Sequence, residues 1–176
     1  AASGPDSDHP NILYALIQSI ILSRKEVLIT TPYFIPDEAL FNAILITKAS
    51  GATIKILVPG ISDSIIVNKV SSSYYGDLLK AGVEVYRYTK GFVHAKTMVC
   101  DEHVSFIGTA NLDHRSFDLN FEVNAIFYDR ELANELKSNF IIDIANAEKL
   151  DLIKWNQRSI FIKFTERFFR LISPLV

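Results

Sequence analysis

The stretch His94-Ala95-Lys96-Thr97-Met98-Val99-Cys100-Asp101-Glu102-His103-Val104-Ser105-Phe106-Ile107-Gly108-Thr109-Ala110-Asn111 decides how this chain is read. It sets His94, Lys96, Asp101, Gly108, Thr109 and Asn111 in the spacing H-x-K-x4-D-x6-G-T-x-N. Residues 93–100 read as a buried strand, where side chains two apart share a face, so His94 and Lys96 point the same way. Asp101 falls on the other parity at the strand's end. It is expected to fix the turn or a neighbouring polar group. Residues 104–107 read as a second strand, which makes Asp101-Glu102-His103 a hairpin connection.

Working outward, residues 11–25 carry Ile12, Leu13, Leu16, Ile17, Ile20 and Ile21 at helical spacing. Residues 27–31 form a strand broken by Pro32 and Pro36, and Asp37 caps a helix over 38–49 that Gly51 ends. A second strand over 53–58 stops at Pro59-Gly60, a helix over 63–81 ends at Gly82, and a third strand covers 83–88. This alternation predicts an α/β fold with a mixed, largely parallel sheet covered by helices on both faces. The hairpin and a strand over 121–128 extend that sheet, and 130–147 returns to helix. One domain over residues 1–176 is expected, with 1–8 a small, polar linker and 152–176 a basic, aromatic C-terminal helix. The only methionine is Met98, so the sequence reads as a processed product or an excised part of something longer.

Composition agrees with an enzyme domain. With 176 residues, 49% hydrophobic and 22% charged, the chain suits one sizeable core. A net charge of -2 and a pI near 6.1 give no overall basic footprint, so no nucleic-acid partner is expected. The single cysteine, Cys100, leaves no internal disulfide and reads as a small core residue. The four histidines lack metal-ligand spacing, and neither a metal nor another cofactor is called for. No run of eighteen apolar residues appears, so no membrane span is expected.

The six motif positions resemble the signature of the phospholipase D superfamily, whose enzymes cut or exchange phosphodiesters through a histidine nucleophile. The residue types suit that chemistry. Attack at phosphorus adds charge to oxygens that are already anionic, so the site needs a nucleophile together with preorganised cationic and amide donors. Imidazole is a usable nucleophile near neutral pH. His94 and Lys96 would meet one phosphate, the first reacting and the second neutralising. Gly108 and Thr109 would let the backbone turn close to the substrate, with the Thr109 hydroxyl and Asn111 amide as phosphate donors. The resemblance also implies that an acid beyond this element holds the histidine's other nitrogen, and Glu122 matches it. The alternative for Glu122 is a solvated or salt-bridged carboxylate. Arg115 is read either as a grip on a second phosphate or as a structural ion pair. His9 and His103 are read as passive.

Other stretches narrow the resemblance. Thr30-Thr31-Pro32-Tyr33-Phe34-Ile35-Pro36-Asp37, Tyr74-Tyr75-Gly76-Asp77-Leu78-Leu79-Lys80-Ala81-Gly82, Gly91-Phe92-Val93-His94-Ala95-Lys96 and Asp113-His114-Arg115-Ser116-Phe117 look like the bacterial cardiolipin synthase family, as does the C-terminal run over 170–176. The likeness is to that family's second catalytic half. It implies phosphatidyl transfer through a phosphohistidine, making cardiolipin from two phosphatidylglycerol molecules with release of glycerol. It also implies a bacterial inner-membrane setting, a phospholipid substrate, and a partner that is the missing N-terminal half or a second copy. Members with two motifs usually give the covalent role to the first-half histidine, which tilts His94 toward acid–base work. Phe92 and Tyr33 are read as a lipid-facing wall. The other classes left open are a superfamily hydrolase or nuclease acting as a homodimer, and a non-catalytic half completing a partner's site. In residues 152–171, Lys154, Arg158, Lys163, Arg167 and Arg170 interleave with aromatics. On a helix this is either an interfacial element or, as the simpler expectation, a surface helix packing its aromatics on the core.

Overall fold

The helix α1 (Asn11–Leu22) buries Ile12, Leu13, Leu16 and Ile20, the spacing that its sequence dictates. In the computed structural model, which describes residues 1–61 and 64–171, that face packs on a mixed sheet. The first strand, β1 (Ala2–Ser3), lies at one sheet edge, and β2 (Glu26–Thr30) occupies the middle. A short β3 (Phe34–Ile35) follows the Pro32 break. Asp37 caps α2 (Glu38–Ala49), accepting from Leu40 N at 2.8 Å, and Gly51 at φ 104° releases the chain. The strand β4 (Thr53–Pro59), helix α3 (Ile65–Lys80) and strand β5 (Glu84–Tyr88) complete two crossovers. Asp63, the expected start of α3, lies outside the described residues, and Ser64 caps the helix instead.

The hairpin is β6 (Thr97–Cys100) and β7 (Val104–Gly108), followed by a two-residue β8 (Leu112–Asp113) and a π-helical turn over Arg115–Leu119. Then come β9 (Glu122–Tyr128), α4 (Arg130–Ala145), β10 (Ala147–Lys149), α5 (Leu152–Asn156) and α6 (Ile160–Leu171). The main sheet runs β1-β9-β7-β6-β2-β4-β5-β10, and β3 pairs separately with β8. Its two faces are covered as expected. The first three helices enclose the larger core, while α4 sets Ala133 and Phe140 over Leu28, Leu57 and Val99.

Several expectations are corrected. The sheet is parallel only where β2, β4 and β5 adjoin, because only α2 and α3 act as crossovers; its other ladders are antiparallel. Residues 1–8 are not all linker. Ala2 and Ser3 pair with Val123 and Glu122, Ser3 is buried, and its hydroxyl accepts from Ile12 N at 3.1 Å. The helix expected to 147 stops at Ala145, and the chain enters β10 along β5. The C-terminal stretch is two helices, with α5 capped by Asp151; residues 172–176 lie outside the described part.

The hairpin turn is fastened by Asp101. Its carboxylate accepts from Arg24 N at 2.7 Å, Lys25 N at 2.8 Å and Glu26 N at 2.9 Å, tying the end of β6 to the start of β2. Burial pushes this carboxyl up, but the three backbone N–H groups outweigh it and hold it below the ordinary carboxylate value. Asp101 and Glu102 take positive φ of 51° and 56°, a region that aspartate tolerates better than most residues. A group whose folded pKa is depressed contributes stability above its unfolded value, about 3.9, and that contribution is lost as pH falls through the folded value. Asp101→Ala should therefore lose about 1–2 kcal/mol at pH 7. In urea melts the gap from the wild type should shrink as pH falls below about 4. A gap independent of pH would show that the carboxylate charge does not hold the turn.

Candidate active site

The strand that carries His94 is shorter than its sequence implies. β2 ends at Thr30, opposite Thr97, so residues 93–96 have no ladder on that side and enter β6 as extended loop. Gly108 N still donates to the Lys96 carbonyl at 3.2 Å, which anchors the loop's end. His94 and Lys96 are together, as expected, but through direct contact and not strand parity. Lys96 Nζ lies 3.1 Å from both ring nitrogens of His94 and donates to the His94 carbonyl at 2.8 Å. The His94 side chain is exposed. Phe92 packs beside it, ring centroids 5.5 Å apart and planes 30° apart, and is itself 42% exposed.

Lys96 is half-buried at a 20 Å³ crevice lined by Thr30, Thr31, Ala110, Leu112 and Asn124. Burial pushes the ammonium below the ordinary lysine value, and the carboxylates of Glu122 and Asp113 pull it back up. Both acids therefore favour the charged form of Lys96. The direct contact expected between Glu122 and His94 is not made. Glu122 Oε1 accepts instead from Asn120 Nδ2 at 3.5 Å, at the head of β9. The likeness that pointed to Glu122 gives sequence distance alone, whereas the ring's neighbouring position is taken by Lys96.

The Gly-Thr-x-Asn element is tighter than a loop opening toward a ligand. A Cβ on Gly108 would lie 1.9 Å from Asn124 Oδ1 and 2.5 Å from the Val123 carbonyl oxygen, so glycine is required by β9. The Thr109 hydroxyl accepts from Val123 N at 3.0 Å and lies 3.4 Å from its carbonyl oxygen, so it completes the pairing with β9. Gly108, expected to bring the backbone close to substrate, instead admits β9, and the Thr109 hydroxyl, expected to donate to phosphate, is engaged by β9. Asn111 differs. Its backbone N donates to Ser116 Oγ at 3.1 Å, while its side-chain Oδ1 is buried without a hydrogen-bond partner among the described residues. Such an acceptor is costly unless something engages it. Asp101 sits at the far end of β6 from His94, holding the turn. Arg115 is exposed, and its backbone carbonyl accepts from Asn120 N at 2.8 Å to close the π-helical turn. Tyr33 is half-buried between β2 and β3.

Three positioning residues had no role in the sequence reading. Asp113 is buried and its Oδ1 accepts from Ser116 N at 2.7 Å, which aims the Ser116 hydroxyl at Asn111. The spacing Asp113-x-x-Ser116 is a capping pattern, and that was the available signal. Asn124, also buried, accepts from Ala110 N at 3.4 Å and fills the space left by Gly108; its strand position gave no such hint.

Taken together, the mixed sheet, the hairpin at its centre and the His94–Lys96 pair define a phospholipase D-like unit. The solved phospholipase D family member Nuc of Salmonella typhimurium shares the fold, with a TM-score of 0.68 over 78% of this chain and 89% of that one at 15% identity. So does phosphatidylserine synthase of Haemophilus influenzae Rd KW20, with a TM-score of 0.75 over 99% of this chain and 46% of that one at 16% identity. The family described as cardiolipin synthase, PLD-like domain, matches residues 16–144, and the chain belongs to that family. A cardiolipin synthase of Staphylococcus aureus (strain Mu50 / ATCC 700699) is 42% identical across the whole chain. This chain spans 36% of that relative's length.

The electrostatic arrangement around Lys96 has a measurable consequence. Removing the Glu122 charge takes away a force that raises the Lys96 pKa, leaving burial less opposed. In an active assembly, Glu122→Gln should move the alkaline limb of the pH–rate profile to lower pH while changing KM little. An unmoved limb would mean that Glu122 does not sustain the Lys96 charge.

Proposed function

We propose that this chain is one catalytic half of a phosphatidyltransferase that converts two phosphatidylglycerol molecules into cardiolipin and glycerol. The observation that carries this reading is the exposed His94 imidazole with the Lys96 ammonium 3.1 Å from its ring nitrogens, in a chain of the cardiolipin synthase family. In the first step an imidazole nitrogen bonds to phosphorus and the bond to the glycerol oxygen breaks, that oxygen taking a proton from a second histidine. In the second step a hydroxyl of another phosphatidylglycerol gives its proton back to that histidine and bonds to phosphorus, and the phosphorus–nitrogen bond breaks. The scheme calls for no cofactor.

In this scheme His94 is the acid–base partner and the covalent histidine belongs to the other half, supplied by the rest of a longer chain or by a second copy. Lys96 and the Asn111 side chain grip the phosphate, and Glu122 and Asp113 sustain the Lys96 charge. The working place is the inner membrane of a bacterium, with the phospholipid taken from the membrane surface. Trapping the intermediate by rapid acid-free quench and mapping it by mass spectrometry should find the adduct on the other half. An adduct on His94 would reverse the two roles.

In an assembly with both halves, His94→Ala should lower turnover of labelled phosphatidylglycerol by about 10²–10⁴-fold, the scale of a positioned acid–base group. Lys96→Ala should cost about 10²–10³-fold, the scale of a transition-state donor. Near-normal turnover in His94→Ala would overturn the proposal.

The intermediate can be resolved by water or by a lipid alcohol, and transfer wins only if water is kept out and the acceptor is held in attack geometry. Phe92, stacked beside His94 and partly exposed, is placed to do this. Phe92→Ser should shift the product severalfold from cardiolipin toward phosphatidic acid, read by chromatography of labelled lipid. An intact enzyme yielding mostly phosphatidic acid would be a hydrolase.

A further inference from the structure

The helix α6 sits on the protein the wrong way round for a surface helix of a water-soluble domain. Its charged side faces inward. Glu166, only 6% exposed, takes both Nη atoms of Arg158 at 2.6 and 2.9 Å, and Arg170 Nη1 reaches Asp77 Oδ2 on α3 at 2.7 Å. The Arg158 guanidinium in turn lies over Trp155 of α5, 3.2 Å from the ring centroid. Its apolar side faces outward. Ile160, Phe161, Phe164, Phe168 and Leu171 fall on one stripe at helical spacing and are 80, 82, 70, 57 and 79% exposed. The expectation that the aromatics of this stretch pack on the core holds for Trp155 and Phe169 and is corrected for Phe161, Phe164 and Phe168. The ion pairs below the helix fix its rotation, and turning the stripe inward would strand Glu166 and Arg170.

We propose that the outward stripe of α6 seats this half on an anionic phospholipid bilayer. The inference deepens the lipid-transfer reading and rests on it for the reason a membrane would be there. Charge selects the occupant. Of the five basic side chains in residues 152–171, Arg158 and Arg170 are paired inward with Glu166 and Asp77, and the exposed charges that remain, Lys154 and Arg167, are both basic. Arg167, on α6 itself, stands exposed beside the stripe, and Lys154 of α5 is exposed as well. A basic flank beside a bulky apolar stripe suits anionic headgroups above acyl chains. A second copy docked stripe to stripe would bring two basic flanks together, which like charge disfavours. Position agrees as well. Arg170 at the end of α6 lines a cleft together with Pro36, Phe41, Tyr74 and His114. His114 belongs to the segment that follows Asn111. A bilayer against α6 would therefore lie on the side of the fold that carries the His114 segment.

The test uses the 176-residue chain and flotation with vesicles of phosphatidylcholine alone or with added phosphatidylglycerol. The chain should float with the anionic vesicles at least tenfold more strongly than with the neutral ones, and rising salt should weaken the binding. The triple variant Phe161→Ser, Phe164→Ser, Phe168→Ser should lose binding at least tenfold with its melting curve unchanged, because these side chains face solvent. Independently, Phe164→Trp should show blue-shifted emission on anionic vesicles. Binding by the triple variant equal to wild type, or no shift for Phe164→Trp, would overturn the inference. So would light scattering showing a lipid-free dimer that the triple variant turns into a monomer, since the stripe would then be a protein interface. Turnover plays no part in these readouts. A chain that binds through α6 but makes no cardiolipin with its other half would overturn the catalytic reading and leave this one standing.

Discussion

Around His94, the geometry follows from how closely β7 approaches β9 at Gly108. With a Cβ excluded by Asn124 Oδ1 at 1.9 Å, only glycine lets the two strands pass, and the pairing continues as Thr109 N donates to the Val123 carbonyl at 3.0 Å. The approach reaches the site by three routes. Gly108 N holds the Lys96 carbonyl, and with it the extended entry to β6. The Asn124 amide, packed into the space a side chain would take, accepts from Ala110 N and fixes the start of the turn. That turn delivers Asn111 to Ser116, whose own position depends on Asp113. A side chain at Gly108 would disturb all three while touching none of the proposed reacting groups.

Lys96 is the costly member of the arrangement. A half-buried ammonium loses hydration, and an uncompensated charge would respond by giving up its proton. Glu122 and Asp113 oppose that loss from a distance without bonding to Lys96, so the nitrogen's donors stay directed at His94. The Asn111 acceptor is buried without a partner among the described residues beside the same turn. A preorganised cation held by backbone is what stabilisation of a phosphoryl transition state requires; the Asn111 oxygen, an acceptor, does not add to it. The thiol of Cys100, by contrast, is pushed up to about 12 by burial and is inert core.

Periodicity revealed most of the fold. α2 begins at the residue after Asp37 and ends before Gly51 as read, because capping chemistry is local. The motif hairpin was equally legible from its turn. What escaped depends on contacts distant in sequence. β1 exists only because β9 offers it an edge, and β10 only because β5 does. The proportion of parallel pairing escaped for the same reason, since it depends on which neighbours the hairpin chooses. At the site, the pairing of His94 with Lys96 was legible from spacing, but Gly108 and Thr109 were misread because their partners are the backbone and side chain of β9. The orientation of α6 was left between two alternatives because amphipathicity shows that two faces differ and does not say which faces inward. The ion pairs of Glu166 and Arg170 decide that.

The contact between His94 and Lys96 also bears on the proposed need for a second half-site. With the ammonium 3.1 Å from the ring, the two groups reach a phosphate from the same side. Exchange at phosphorus places the entering and leaving atoms roughly opposite one another. A group that reacts at one of those positions cannot protonate the other. The Asn111 amide and the Glu122 carboxylate belong to the same β7–β9 corner and add nothing on the far side. In the proposed scheme, completion comes from another histidine, on the opposite side of the phosphate. On the proposed reading, this geometry presents one face of a phosphate site, with the Lys96 ammonium and the His94 imidazole held on that face by backbone.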